Sequence, residues 1–273
     1  MASEALFSWL ISKNINDTRQ ITYVEIRQYI LDMVSVFRPK TIPNLRSGLR
    51  KFFKWSFENS YTTDSFEGLF DFTVAIERKI YPAPLPDEIS LVLDSIDRST
   101  ILGKRNYAII MLGIVTGLRA GDVANLKLTD IDWQTGEIRI IQNKTGKPLA
   151  LPLTKDVGES LSDYIINARP DSKSENIFLR AIAPFQEFSG GSAVGGIYQA
   201  YRKRLGLSAG GFHSLRRALG KNLVTSGAPV TTVAQVLGHS TIENTKQYIA
   251  LDVLHLKECA LDFTGIEPKR CAE

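Results

Sequence analysis

From its first residues the chain carries hydrophobic positions at a helical period. "SEALFSWLISK" (3–13) lines its apolar residues along one face, and "ITYVEIRQYILDMV" repeats that spacing from residue 21. In the second stretch Thr22 and Glu25 stand three apart ahead of the apolar run. That capping-box pattern predicts a helix start and turns Val24, Ile26, Ile30, Leu31 and Val34 toward a core. "TIPNLRSGLRKFFKWSFENS" predicts a third helix, with Leu45, Leu49, Phe52, Phe53 and Phe57 on its apolar side. The pattern then stops at "RKIYPAPLPDE" (78–88). Pro82, Pro84 and Pro86 remove backbone donors and favour extended chain, so residues 81–87 read as a linker between a helical segment, 1–80, and a larger one, 88–273.

The larger segment opens with two more helical patterns, "DEISLVLDSI" and "GKRNYAIIMLGIV", broken at Thr116-Gly117, and a short helix follows around "RAGDVANL". The period then changes. "DIDWQTGEIRIIQNKTGKPLALPL" alternates apolar and polar residues around two turn signals, Gln134-Thr135-Gly136 and Asn143-Lys144-Thr145-Gly146, which predicts three short antiparallel strands. "KDVGESLSDYIINARP" returns to a helix that Pro170 ends. Residues 171–196, rich in Ser and Gly, read as an exposed loop around one short apolar strand or turn, "NIFLR". Helical spacing resumes in "IYQAYRKRLGL", "FHSLRRALGKNLVTSG", "VTTVAQVLGH" and "TIENTKQYIALD". The expected fold class is mainly α with a small antiparallel β-sheet.

Composition narrows the classes. The hydrophobic fraction is 44% against 23% charged, in the range of ordinary globular proteins and unlike disordered or fibrous chains. The longest apolar run, "YAIIMLGIV", falls well short of the ~18 residues a membrane span needs. "ALFSWLI" lacks the basic flank and cleavage pattern of a leader. Only Cys259 and Cys271 occur, which fits a reducing compartment and offers no metal-ligand spacing. A cytoplasmic protein without membrane association is the expectation. The net charge of +4 permits a nucleic-acid partner without requiring one.

The placement of charge says more than its sum. Arg46, Arg50 and Lys54 recur at i, i+4 and i+8, Lys51 lies beside them, and residues 33–57 hold six Lys or Arg with no acidic residue. Like charges at that spacing repel. The stripe is therefore either a solvated face or one that tracks phosphates.

Four local features could carry chemistry. Arg119 follows a glycine turn between two apolar helices, and Lys144 sits at a hairpin tip; each alone is a commonplace surface residue. In "HSLR", His213 and Arg216 are spaced i, i+3, so both can meet one anion, although a histidine bonded to a nearby carbonyl is the ordinary alternative. In "LGHSTIENTKQY", His239 precedes Tyr248 by nine residues, too many for one continuous helix to put both on one face. Together these six residues contain every role needed for phosphoryl transfer without a metal. Arginines grip nonbridging oxygens, a tyrosine attacks, and a lysine or histidine supplies the proton for the departing oxygen. No Walker loop, magnesium-binding carboxylate cluster or zinc spacing accompanies them.

In this order the motifs resemble the tyrosine recombinases, or phage integrase family, over nearly the whole chain. "TGLRAGDVANLKLTDIDW" is similar to the family's first arginine box, "IIQNKTGKPLALPL" to its lysine hairpin, and "HSLRRALGKNLVTSGAPVTTVAQVLGHSTIENTKQY" to its second box. "TIPNLRSGLRKFFKW" resembles the DNA-gripping helix of the family's core-binding domain. The resemblance implies a helical, SAM-like core-binding domain followed by an α+β catalytic domain, a minimal two-domain site-specific recombinase. It implies that Tyr248 attacks a DNA phosphodiester, that Arg119 and Arg216 clamp the phosphate, that His239 bonds a nonbridging oxygen, and that His213 assists proton transfer. Lys144, in preference to Lys147, would be the general acid.

The implied partners are double-stranded DNA bearing specific recombination sites and three further copies of the chain in a homotetramer. No metal, ATP or other cofactor is implied. The apolar set in "DVLHLKECALDF" would form a tail helix that docks either on its own domain or, by exchange, on a neighbouring protomer. Two departures stand out: Arg217, where the family often has histidine and an added phosphate contact is the expectation, and Asp122, where glutamate is frequent. The competing readings are a DNA-relaxing enzyme like the type IB topoisomerases and a DNA-binding regulator without catalysis.

Overall fold

Thr22 accepts a hydrogen bond from the Val24 amide at 3.2 Å while the Glu25 carboxylate accepts one from the Thr22 amide at 2.9 Å, so the capping box is closed at both ends. It opens α2 (Tyr23–Val36), which lies between α1 (Ala2–Ser12) and α3 (Ile42–Glu58) in sequence. These belong to a computed structural model of the protein that describes residues 2–75, 82–207, 210–238 and residue 245. The chain divides into two compact units, residues 1–79 and 80–273.

In the first unit α2 buries Ile26, Tyr29, Ile30 and Met33, an i, i+3, i+4, i+7 set. Val24 and Leu31, expected inside, are exposed, and Val34 is only partly covered. The apolar residues of α2 occupy more than one face, and spacing alone does not choose which one packs. In α3, Ile42, Leu49 and Phe53 are buried, Leu45 and Phe52 flank them, and Phe57 faces outward. Phe53 is the centre of this core, edge-on to Phe66 at 5.2 Å and nearly parallel to Phe70 at 5.9 Å. Full burial of each such ring contributes about 1.5–3 kcal/mol over exposure.

In the second unit α4 (Pro86–Asp94) starts inside the expected linker, because a proline at the first helical position gives up only an amide that would have no helical partner. The central element is α5 (Ile101–Thr116). Residues Ala108 to Gly113 are buried without interruption, so the helix is enclosed on every side. It packs on α6 (Ala120–Ala124), α7 (Lys155–Asn167), α8 (Gly191–Arg204) and α9 (His213–Thr225), and α10 (Val230–Val236) packs on α9. A Cβ on Gly113 would stand 2.5 Å from the Phe212 ring, so its absence lets the start of α9 press against α5.

The sheet is β1 (Ile131–Asp132), β2 (Glu137–Ile141) and β3 (Pro148–Pro152), antiparallel in the order β1-β2-β3. Ile131 faces Ile138, and Ile141 faces Pro148. The three strands stand where the alternation placed them, and the chain is mainly helical with one small antiparallel sheet.

The stretch expected as an exposed loop, 171–196, differs. Ile177, Phe178 and Leu179 are fully buried, the first two in the main core, Leu179 bridges to Glu187, and α8 already begins at Gly191. The expected tail helix at 252–263 lies outside the described residues.

Candidate functional site

The site is built at the corner between α5 and α6. Gly117 takes a left-handed backbone (φ +62°), and a Cβ there would meet Leu219 at 2.9 Å and Leu237 at 3.0 Å. This corner delivers Arg119 to the N-cap position of α6. From the first turn of α9, Arg216 reaches back to it. The Arg216 side chain donates from Nη1 to the Gly117 carbonyl at 2.9 Å and from Nη2 to the Leu237 carbonyl. Arg216 is 1% exposed, among the most buried side chains of the chain. One guanidinium therefore ties together the corner that carries Arg119 and the end of α10, two residues before His239.

A second set of bonds attaches the lysine hairpin. The turn 143–146 between β2 and β3 is closed by the Gly146 amide donating to the Gln142 carbonyl at 2.8 Å, with Gly146 at φ +65°. The Asn143 amide donates to Asp122 Oδ1 at 2.9 Å, and the Asn143 side chain donates to the Gly121 carbonyl at 3.2 Å. Asp122, buried on α6, also faces Arg119 at 3.8 Å. Aspartate in place of glutamate thus still serves the arginine and in addition pins the turn that displays Lys144. Lys144 itself is exposed. A close approach of α8 completes the frame: a Cβ on Gly191 would lie 2.6 Å from the Gly121 amide.

His213, on the same turn of α9 as Arg216, feels these groups. Desolvation by the surrounding protein, then the positive charges of Arg216, Arg217, Arg119 and Lys144, push its imidazole from 6.5 down to about 4. His213 keeps solvent access, which screens part of that push. The ring is therefore neutral at physiological pH and able to accept a proton. The unfolded chain takes the proton first as pH falls below 6.5, so the stability linked to this group is complete above that pH and is lost progressively toward pH 4. In an NMR titration the His213 ring should show a midpoint well below 6, moving upward when a phosphodiester enters and offsets the cations. A midpoint at 6.5 in the free protein would mean that neither burial nor the neighbouring cations act on the ring.

The structure thus brings Arg119, Lys144, His213 and Arg216 to one place, with Arg217 half-buried beside them on α9. His239 and Tyr248 lie outside the described residues, although Thr245, three residues before Tyr248, is buried. On α3 the basic stripe divides. Arg46 donates to the Phe72 carbonyl and lies over the Phe72 ring at 5.7 Å. Arg50 donates to the Phe70 carbonyl at 2.8 Å and pairs with Asp71 at 2.5 Å. Lys51 and Lys54 are exposed. Gln142 was absent from the sequence-based site. It is 1% exposed, and its signal was a polar residue at the buried parity of β2, after Ile138 and Ile140.

Among the described residues no helix is long and apolar enough to cross a membrane, and no group of three or more His, Cys, Asp or Glu could hold a metal ion.

Comparison with known proteins supplies the family. The chain is 39% identical over 181 residues to the Sinorhizobium fredii protein named "Putative integrase/recombinase y4rA", covering 66% of this chain and 44% of that protein. It thus spans less than half the length of that relative. It is 26% identical over 249 residues to the tyrosine recombinase XerC of Lactobacillus leichmannii, covering 87% of this chain and 81% of the relative. In fold it is similar to a crystal structure of XerH site-specific recombinase bound to palindromic difH substrate, a post-cleavage complex. The TM-score is 0.70 at 20% identity over 91% of this chain and 74% of the other. A lambda integrase (75–356) dimer bound to a COC' core site matches at a TM-score of 0.65 and 20% identity, covering 98% and 92%. The model of the phage integrase family matches residues 85–255, more than half of the sequence, and the chain belongs to that family.

Proposed function

We propose that this chain is a site-specific DNA recombinase that cleaves and rejoins DNA through a covalent tyrosine intermediate. The observation that carries the reading is the convergence of Arg119, Lys144, His213 and Arg216 from three separate elements, the α5–α6 corner, the β2–β3 turn and α9, tied together by the Arg216 bonds to Gly117 and Leu237 and by the Asn143–Asp122 bond. The Tyr248 oxygen attacks the scissile phosphorus and the bond to the 5′ oxygen breaks, leaving a 3′-phosphotyrosyl link and a 5′-hydroxyl. His213 takes up the phenolic proton, and Lys144 protonates the departing oxygen. Arg119 and Arg216 hold nonbridging oxygens and offset the charge that builds at phosphorus, with His239 as a further donor. The link retains the energy of the phosphodiester, so resealing needs neither ATP nor metal. Lys144 is favoured over Lys147 because its charge acts on His213, whereas Lys147 stands at the far end of the turn, where its carbonyl accepts from the Gln142 amide.

In this reading residues 1–80 form the core-binding domain, and the linker that follows ends before α4, which opens the catalytic domain at Pro86. Four protomers act on two paired DNA sites, and the C-terminal tail couples them by docking on a neighbour. Lys51 and Lys54 contact phosphates, while Arg46 and Arg50, through their bonds to Phe70, Asp71 and Phe72, shape the surface that presents them. Changing Lys51 and Lys54 together to alanine should lower the slope of log affinity against log salt by about two. An unchanged slope would return both lysines to the solvated surface.

The direct test offers the protein a library of duplexes nicked within a randomised region. A wild-type recombinase selects members that become joined to it through Tyr248, because the short fragment beyond the nick diffuses away and blocks resealing. Exchange between two copies of a selected site, with a tetramer on the synapsed DNA, completes the result. No adduct overturns the reading, and relaxation of supercoils without exchange replaces it with a topoisomerase-like one.

A further inference from the structure

We propose that Gln142 is a positioning residue for this transesterification, its side-chain amide locking the Arg119 guanidinium, the Lys144 turn and the Gly238 carbonyl into one unit. The inference rests on the recombinase reading and adds a residue to it. The amide orientation that satisfies every neighbour puts the oxygen toward Arg119 Nη1 at 3.1 Å. The nitrogen then donates to the Gly238 carbonyl at 3.0 Å and to Thr145 Oγ1 at 2.8 Å. The backbone of the same residue closes the hairpin, donating to Lys147 O at 2.9 Å and accepting from the Thr145 and Gly146 amides.

A buried glutamine that merely satisfied its own turn would stop at Thr145. Gln142 instead reaches two other elements, and both contacts lie next to residues assigned to the phosphate. The partners also select the side chain. One is a cation that needs an acceptor, and the other is a carbonyl that needs a donor. Asparagine is shorter, and a glutamate carboxylate would turn an oxygen against the Gly238 carbonyl. Gly238 is fitted to the amide in turn: it sits at φ +59°, and a Cβ there would stand 2.2 Å from the end of the Gln142 side chain. Gly238 directly precedes His239 in the chain. Buried at 1% exposure, the amide has no water to replace a lost partner, so its three bonds hold or fail together.

The test compares wild type, Gln142→Met and Gln142→Glu on a nicked duplex selected by the wild-type protein. The same duplex is also made with a methylphosphonate at the scissile position. Methionine keeps length and apolar volume while removing the hydrogen bonds. On the phosphodiester Gln142→Met should form adduct roughly a hundredfold more slowly than wild type. On the uncharged methylphosphonate, which asks less of an arginine clamp, the deficit should shrink to below about tenfold. Gln142→Glu should recover relative to wild type as pH falls, because a protonated carboxyl can again donate to the Gly238 carbonyl. Equal deficits on both substrates, or wild-type rates in Gln142→Met, overturn the proposal. If Gln142→Met does not fold, a pH-independent deficit in Gln142→Glu overturns it instead. Absence of adduct from the wild type is a failure of the recombinase reading and is seen before any variant is made.

Discussion

Tyr248→Phe is expected to reduce covalent protein–DNA adduct below detection, a loss on the order of 10⁴ or more in cleavage rate, while DNA affinity stays within about twofold. The substitution removes one oxygen and little else. A phenol of ordinary pKa about 10 is a poor nucleophile at neutral pH. Here it would meet two arginines and a lysine that favour the phenolate, with His213 free of a proton and able to accept one. Phenylalanine keeps the aromatic ring and removes only the hydroxyl that attacks. Affinity comes from cations along the DNA backbone and is untouched. Adduct persisting in Tyr248→Phe, or mapping in the wild type to another tyrosine, would show that the nucleophile has been misassigned.

The elements legible in the sequence were those determined by local chemistry, whereas Tyr248, proposed as nucleophile from the spacing of its motif, lies outside the described residues. The Thr22–Glu25 box, the Gly117 corner and the two hairpin turns are each set by residues within a few positions of one another. Contacts between distant segments were not legible. The window 33–57 contains no acidic residue, yet Arg50 pairs with Asp71, twenty-one positions later, because the segment after α3 folds back along it. Ile177, Phe178 and Leu179 looked like a surface strand amid Ser and Gly, but tertiary packing buries them completely. Gln142 was visible as a polar residue at a buried parity, whereas its partners on α6 and after α10 exist only in the fold. Pro86 shows the converse, a residue read as part of an extended linker that starts a helix.

Arg216→Ala should fail twice, and the two failures separate its roles. The guanidinium presents five donors in a rigid fork, and two bonds from it are committed to the carbonyls of Gly117 and Leu237. Alanine would leave both carbonyls without that donor in a site that is 1% exposed, at about 1–3 kcal/mol each, and would open a cavity besides. The melting temperature should therefore fall by several degrees, and cleavage by roughly 10²–10³ or more from loss of the clamp. Arg216→Lys distinguishes the two effects. An ammonium keeps the charge and can satisfy one carbonyl, so part of the lost stability returns. It cannot reproduce a planar fork that spans Gly117 and Leu237 while meeting a phosphate oxygen, so the cleavage rate should remain below a tenth of the wild type. Thermal melting and adduct formation measured on the same three proteins decide the matter. If lysine restores both equally, charge alone suffices and the fork has no special part. If alanine melts with the wild type, the bonds to Gly117 and Leu237 do not hold the Arg119 corner, and another contact must do so.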